Sequence, residues 1–480
     1  MTAASETRTP RPPWVVLTVL CAVGIVSSLQ YVILIPLLAR FPELLHESPG
    51  DTSWIVTAGL LSGAVATPLI TRLADMRGKR LMTMVCLGMI VVGSLIPLLF
   101  GSLWALILSR VICGASAGML PIGISMLRDE LPPKRLGMAI AVLSTMVGVS
   151  SGLGLPLGGW LAEAFGWLSV FVFSGAVALL LMVITPLVLR ESSAGVRGRF
   201  DVVGALLLSI ALIALMLGVS KGGEWGWLSP VILGLFGLTL ASGAAWFVYE
   251  RRTTVTPIVD LKTSFSRPIL IANISAFSLG LAMFGNMIIT TAQVQIPVED
   301  GGFGMDTFLA GLVLLPAGLT ISAMGPVAGL GVQRFGAKIT LIVGILVLAA
   351  GNIQRLFALD SLIGIIIGAI IIQIGVAFTT AAQPTIITRN APIEQTASAN
   401  GVNALVRSVG TTMASAVIAA AFTLTVIGPS GEQHPSPTSF LITFSVAAGA
   451  ALISALIAAW LPGDRPRRSE APVDPGIVPA

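Results

Sequence analysis

The sequence predicts an all-α, polytopic membrane protein, and three observations carry that expectation. Of 480 residues, 55% are apolar and only 10% are charged, against about a quarter charged in an ordinary soluble domain. The mean hydropathy is +0.95. Apolar runs of about 20 residues, the length that crosses a hydrocarbon core, recur from one end of the chain to the other. A soluble globular enzyme, a disordered chain and a nucleic-acid module are excluded on these grounds.

Fourteen runs read as spans. The first seven lie near 14–39, 52–71, 81–101, 103–127, 137–161, 167–189 and 202–220, and the rest near 228–249, 269–292, 306–331, 340–357, 361–384, 398–426 and 439–461. Their orientation follows from the bases, because Lys and Arg accumulate on the cytoplasmic side. With the N-terminus inside, 22 of the 27 Lys and Arg fall in cytoplasmic segments, and Arg40, Lys221 and Arg355 alone fall in outer loops. The acids divide 12 inside and 10 outside, the lack of bias expected of groups that do not set orientation. Both termini are therefore expected in the cytoplasm, and the basic balance is an insertion signal, not a nucleic-acid surface. The first run is long and lacks a small-residue cleavage site, so it reads as a retained helix. Cys21, Cys86 and Cys113 all lie in predicted spans, which supports neither a disulfide framework nor a metal site. His46 and His434 fall in two different outer loops.

The organisation reads as two six-helix halves with an inserted pair. The stretch Thr71–Arg80 contains Asp75, Gly78, Lys79 and Arg80, and a degenerate copy with Gly336 and Lys338 begins 258 residues later. The first joins the second and third spans, the copy the tenth and eleventh. That offset fits a duplication interrupted by two extra spans, and duplicated halves with a site between them typify secondary transporters. The expected divisions are residues 1–190 and 263–462 for the bundles, 191–262 for the inserted pair and its linkers, and 463–480 for a cytoplasmic tail.

Ionisable groups inside a span are costly, so they are functional candidates. Arg110 lies roughly 10 Å into the fourth span at 1.5 Å per residue, on a face with Gly114, Gly118 and Pro121. It either serves transport or ties a neighbouring helix through its carbonyls. Asn400, Asn403, Arg407 and Gly410 fall within about 80° on a helical wheel, a stripe that acts as interhelical glue or as a cavity wall. In the fifth span, Gly148, Gly152, Gly154, Gly158 and Gly159 surround Pro156. Glycines four apart allow close helix packing, and an adjustable interface of that kind also suits gating. Asp75 among four bases is either part of a solvated topogenic loop or a latch between helix ends. Gln30, Tyr31, Asn273, Asn286, Gln293 and Gln295 are candidate cavity lining, and the methionines read as gap-fillers. No nucleophile–base set, paired-carboxylate site or phosphate-binding glycine loop stands out. An enzyme is not expected, nor a cofactor or a bound metal.

These residues resemble the major facilitator superfamily, and within it the fourteen-spanner drug–proton antiporter branch. The resemblance covers nearly the whole chain. Trp54 through Arg80 is similar to that family's second span and following loop, with Asp75, Gly78 and Arg80 matching. Arg110 and Gly114 match the fourth-span motif, in which Cys113 replaces a glutamine. Pro156, Gly158 and Gly159 match the fifth-span antiporter motif, from which Leu155 departs. Asp201–Gly204 and Glu224–Trp227 look like the entry to the inserted pair and its outer loop, and Gly401, Asn403, Arg407 and Gly410 are similar to the thirteenth-span signature.

The resemblance implies alternating access by two rocking bundles, with Asp75, Gly78, Arg80 and the fifth-span motif in gating and Arg110 in proton coupling. It implies a small-molecule substrate, protons as the second partner, membrane lipids around a monomer, and a cell-membrane location. The branch usually carries a first-span acid nine residues before a proline, and Ser27 stands at that position here. No carboxylate lies in the hydrophobic middle of a span. Two intramembrane arginines without an embedded acid favour neutral or anionic amphiphiles over dications. The expected function is therefore export of drugs or antibiotics, with proton antiport. An uncoupled exporter or uniporter of one neutral or anionic metabolite is the alternative, and a non-transporting membrane sensor the third reading.

Overall fold

The computed structural model describes residues 12–34, 37, 41–52, 54–191, 200–252, 257–305, 307–422, 424–427 and 433–462. The tail expected over 463–480, Arg40, and the proline used to align the first span lie outside them. The chain is almost entirely helical. We label the principal helices α1 (Pro13–Val32), α2 (Trp54–Arg77), α3 (Lys79–Leu99), α4 (Leu103–Gly114), α5 (Met119–Glu130), α6 (Pro133–Phe165) and α7 (Ser169–Val188). There follow α8 (Val202–Trp225), α9 (Pro230–Arg252), α10 (Arg267–Gln295), α11 (Thr307–Leu356), α12 (Leu362–Asn390), α13 (Thr396–Ala421) and α14 (Pro437–Ala459).

Thirteen helical stretches among the described residues are long and apolar enough to cross a membrane. One combines α4 and α5, which meet through a single 3₁₀ turn at Ala115–Gly118. There the Ser116 hydroxyl donates to the Cys113 carbonyl at 2.7 Å. Another is α11, where the two runs expected near 306–331 and 340–357 join through one bend, not a loop. Gly336 makes that bend with φ 85° and ψ 163°, a conformation open essentially to glycine alone. Gly78 ends α2 in the same manner, with φ 117° and ψ 135°. The two positions correspond in the internal repeat. Arg80 then donates to the Leu189 carbonyl beyond α7 at 3.5 Å, and Lys338 donates to the Leu461 carbonyl beyond α14. The repeat is thus structural: a glycine bend, then a base holding the last helix of its group by a C-terminal carbonyl.

Helix starts are set by local chemistry. Ser102, Asp201 and Ser361 place side-chain oxygens on free amides of the first turns of α4, α8 and α12, which an N-cap supplies. Prolines open α1, α6, α10 and α14, where the missing amide costs nothing.

Two large apolar cores form separately. One is drawn from residues 16–189, the other from α10 to α14 with Ala141 as its only fully buried contributor from the earlier helices. A third cluster joins Ala64 of α2, Leu208, Leu212 and Met216 of α8, and Val402 and Leu405 of α13. The hairpin of α8 and α9 therefore lies across the seam between α2 and α13.

Three expectations need correction. Lys221 is not in a loop: it lies inside α8, 2% exposed, with Nζ 2.6 Å from Glu224 and 5.0 Å over the Trp54 ring. Arg355 is inside α11 and fully buried. Its Nη2 donates to Gln293 Oε1 at 2.6 Å, and its guanidinium lies 4.7 Å from the centre of the Phe444 ring. Pairing and an aromatic face let a cation survive at the end of an apolar run, so hydropathy alone misplaced it. The connection before α14 also contains a short antiparallel ladder, Thr425–Ile427 with Gln433–Pro435, in an otherwise helical chain. His434 lies on its second strand, with Nε2 3.6 Å from Asp300.

Candidate functional site

Asp75 lies in the last turn of α2 and is 2% exposed. Its Oδ1 accepts from the Ala397 amide at 3.2 Å and its Oδ2 from the Ser398 amide at 2.8 Å. These amides belong to the first turn of α13, where helix N–H groups have no partner within the helix and the backbone dipole favours an anion. Asp75 thus caps a helix 322 residues away in sequence. One turn earlier α2 touches α13 again, where a Cβ on Gly401 would overlap the Thr71 hydroxyl. A second cross-link reinforces this end. Arg128, in the last turn of α5, donates to the Ala391 carbonyl at 3.2 Å, the Pro392 carbonyl at 3.4 Å and the Thr396 hydroxyl at 2.5 Å. The end of the molecule that carries Asp75 is therefore cross-linked by two charged groups, one on each flank of the connection from α12 to α13.

Gly78 and Arg80, grouped with Asp75 by sequence, do something different. The Glu191 carboxylate accepts from the Arg80 and Leu81 amides at 3.1 and 3.2 Å, capping α3, and lies 3.5 Å from the Arg80 Nε. A Cβ on Gly78 would press on that carboxylate. Lys79 pairs with Asp129 at 2.7 Å. These contacts bind α3, α5 and the end of α7 together, whereas Asp75 alone of the motif reaches across to α13.

Arg110 is 4% exposed, and its Nη2 donates to the Gln30 backbone carbonyl. α1 ends at Val32, so Gln30 is among the last carbonyls, which lack helical partners. The Tyr31 hydroxyl donates to the Gly114 carbonyl at 2.9 Å. Gly59 and Gly114 let α2 and α4 touch beside the guanidinium, and a Cβ on Gly114 would overlap the Gly59 carbonyl. Arg110, Gln30 and Tyr31 together tie α1 to α4, the carbonyl-tying arrangement. The buried Gln30 side-chain nitrogen donates no hydrogen bond among the described residues.

Two cavities of about 70 Å³ each lie where helices of the two cores face one another. The first is walled by α5, α6 and α10–α13, and its polar surface includes Asn400, Asn403 and Arg407. Asn400 donates to the Thr396 carbonyl at 2.9 Å, while its Oδ1 has no partner among the described residues. Arg407 is half-buried and lies eleven residues into α13, roughly 16 Å at 1.5 Å per residue. The described residues give its guanidinium no hydrogen bond or carboxylate. Asn403 is mainly glue: its Nδ2 donates to Asn273 Oδ1 at 3.1 Å and to the Ala272 carbonyl at 3.2 Å. The polar stripe of α13 therefore lines the cavity throughout, while Asn403 also bonds to α10 and Asn400 to Thr388 of α12 at 3.4 Å.

The second cavity is lined by Pro156, Asn286 and Gln373, among others. Asn286 Oδ1 accepts from the Thr290 hydroxyl at 3.3 Å. Met283 lines both cavities. Each alone is smaller than the roughly 300 Å³ of a drug-sized site. Gln30 and Tyr31 line neither. Gln293 is committed to Arg355.

The glycines of α6 serve two partners. Gly148 abuts Ile321, and a Cβ on Gly318 would lie 3.0 Å from the Gly152 Cα, the close approach of α6 to α11. Gly154 faces Leu29 at 3.0 Å, and a Cβ on Gly158 would overlap the Ile33 carbonyl, so this pair meets the end of α1. A Cβ on Gly159 would meet nothing within 4 Å among the described residues, so Gly159 does not share that packing. Sequence reasoning also missed Arg128, which had counted only as one topogenic base. Its position in the last turn of a helix was the available signal, since bases there commonly take terminal carbonyls.

The fold is thus a largely helical membrane bundle with two cores, polar cavities between them, and charged contacts joining α2 and α5 to the α12–α13 connection at one end. Comparison with known proteins agrees. The model described as Major Facilitator Superfamily matches residues 20–415 and 275–475. The tetracenomycin C resistance and export protein of Streptomyces glaucescens is 31% identical over 379 residues, which cover 78% of this chain and 69% of that protein. A multidrug resistance protein B homolog of Mycobacterium tuberculosis is 29% identical over 62% of this chain, spanning only 55% of its own length. Among solved structures, the human organic anion transporter MFSD10 has the same fold, with a TM-score of 0.67 at 14% identity, covering 93% of this chain and all of that one. The chain belongs to the major facilitator superfamily and is a multi-pass transporter of the cell membrane.

Proposed function

We propose that this protein exports small amphiphilic organic molecules, neutral or anionic, in exchange for protons. The observation that carries the substrate class is Arg407, a guanidinium facing a cavity with no carboxylate among the residues lining it. In low dielectric such a site attracts an anion or a polarised neutral group and disfavours a bare cation. The resistance and export relatives support the direction of transport. The separate cores support two bundles, residues 1–190 and 263–462, with 191–262 inserted between them, and the apolar runs and the Lys and Arg bias support fourteen crossings with both termini in the cytoplasm. In this reading Asp75 and Arg128 close the cytoplasmic end. Breaking them lets α2 and α5 part from α12 and α13, joins the cavities around the flexible Met283, and admits substrate from inside. Arg110 would transmit the motion between α1 and α4.

A second reading, export without proton coupling, is favoured by the absence of a carboxylate from the lining of both cavities. The two are separated by proton movement in energised inside-out vesicles challenged with neutral, anionic and cationic compounds. Antiport gives substrate-dependent proton release, lost in Arg110→Ala at matched protein level. Labelled substrate crossing without any proton release would overturn antiport.

A further inference from the structure

No paired-carboxylate site was evident in the sequence, yet folding assembles one from residues 49 positions apart. Asp201 caps α8, its Oδ1 accepting from the Gly204 amide at 2.9 Å and the Tyr249 hydroxyl at 3.2 Å. Glu250 lies in the last turn of α9, its Oε1 accepting from the Val259 amide at 3.3 Å. The two side chains are 2% and 7% exposed. Their other oxygens, Asp201 Oδ2 and Glu250 Oε2, have no donor among the described residues. Both crowd the same point, for a Cβ on Gly204 would overlap Asp201 Oδ2 and lie 3.0 Å from Glu250 Oε2. The two carboxyls therefore converge on one buried spot beside Gly204.

An ionised carboxylate only accepts. Two of them facing each other in a buried site leave both oxygens orphaned and repel. One proton between them supplies an O–H···O⁻ bond and removes one of the two charges. We propose that Asp201 and Glu250 hold one shared proton, and that this pair on the inserted hairpin is the protein's exchangeable proton site, linked to the latch at Asp75.

The surroundings fit that role. Arg72 of α2 is 2% exposed, with Nε and Nη2 unpartnered, and it feels the charges of Glu250, Asp75 and Asp260. It precedes Asp75 by three residues, so the two share a face of α2. Glu250 also lines a groove of about 590 Å³ with Arg251, Asp260 and Lys262, which gives the proton a route to water. The charged and titratable groups around the pair are thus Arg72 on α2, which interacts electrostatically with Glu250, Tyr249 within the hairpin, and Arg251, Asp260 and Lys262 along the groove. The hairpin packs on both α2 and α13, so parting those helices repacks the pair's setting and moves Arg72 with Asp75. Proton occupancy and latch state are then linked, and the linkage is reciprocal. No acid is needed in the first span.

The coupling half of this inference rests on the antiport reading, and the site itself does not. The site is tested by infrared difference spectroscopy of the purified protein in lipid nanodiscs, stepped in pH. Wild type is expected to show a protonated-carboxyl band that titrates and shifts in heavy water. Both Glu250→Gln and Asp201→Asn should remove it, with melting temperatures showing that each variant is folded. A band unchanged in both folded variants would overturn the shared proton. The amide of Glu250→Gln donates where the proton would lie, so this variant mimics the protonated pair. Its substrate flux driven by a pH gradient should fall at least tenfold in proteoliposomes, and undiminished flux would overturn the coupling. Should wild type move no protons with any compound, antiport falls, while the band still decides whether the pair exists.

Discussion

Replacing Asp75 is expected to unlatch the end of the transporter that α2 and α13 now close. The carboxylate accepts two amide hydrogen bonds, at 3.2 and 2.8 Å, from the first turn of α13. Hydrogen bonds to a charged group contribute about 1.5–3 kcal/mol each, and an anion at a helix N-terminus adds about 0.3–1 kcal/mol more. In the unlatched state water solvates the carboxylate and satisfies the amides, which offsets much of this. Asp75→Asn keeps one acceptor oxygen but loses the charge and turns a donor toward the second amide, whereas Asp75→Ala loses both contacts. We expect net losses of about 2 and about 3 kcal/mol, which at about 1.4 kcal/mol per tenfold raise the unlatched population ratio ~30-fold and ~140-fold. Spin labels on cysteines introduced at Glu130 and Asn390, exposed at the ends of α5 and α12, report the opening by double electron–electron resonance in nanodiscs. Cys86 and Cys113 are buried and Cys21 is half-buried, so Cys21 is first replaced by serine and the introduced pair takes the label. A distance distribution unchanged by both substitutions would refute the latch.

Other substitutions test the remaining supports. Arg128→Ala removes the donor to Ala391, Pro392 and Thr396 and should widen the same distribution, with a double-mutant cycle against Asp75→Asn measuring how far the two contacts act as one gate. Gly158→Leu places a side chain into the Ile33 carbonyl, whereas Gly159→Leu meets open space. Transport at matched protein level should be lost in the first and retained in the second. Gly336→Ala puts a Cβ at φ 85° and ψ 163°, a strain of about 1–3 kcal/mol, and should lower the melting temperature, as Gly336→Asn should also do.

Much of the architecture was legible because hydropathy, charge bias and glycine placement are local signals. The spans follow from apolar length, and the glycine bend at Gly78 pointed through the internal repeat to Gly336. The candidate site was legible residue by residue but not in its pairings. Arg110 stood out as a buried cation, yet nothing local shows that its partner is the frayed end of α1. The α13 stripe had the right periodicity, but which neighbouring helix each asparagine bonds is decided only by the packing. Arg355 was misplaced because a paired, aromatic-stacked cation at a helix end has the hydropathy of a loop. The Asp201–Glu250 pair was invisible because each acid closes one end of a helix, an ordinary place for an acid, and only the hairpin brings them together.

Substrate charge tests the central claim most directly. Purified protein in liposomes with an imposed pH gradient would be given anionic, neutral and dicationic compounds of matched size and hydrophobicity, with Arg407→Gln beside wild type. Gradient-driven, saturable transport of the anionic and neutral compounds, with the anions lost selectively in Arg407→Gln, is the expected result. Saturable transport of the dication by wild type, with Arg407→Gln leaving the anions untouched, would contradict it.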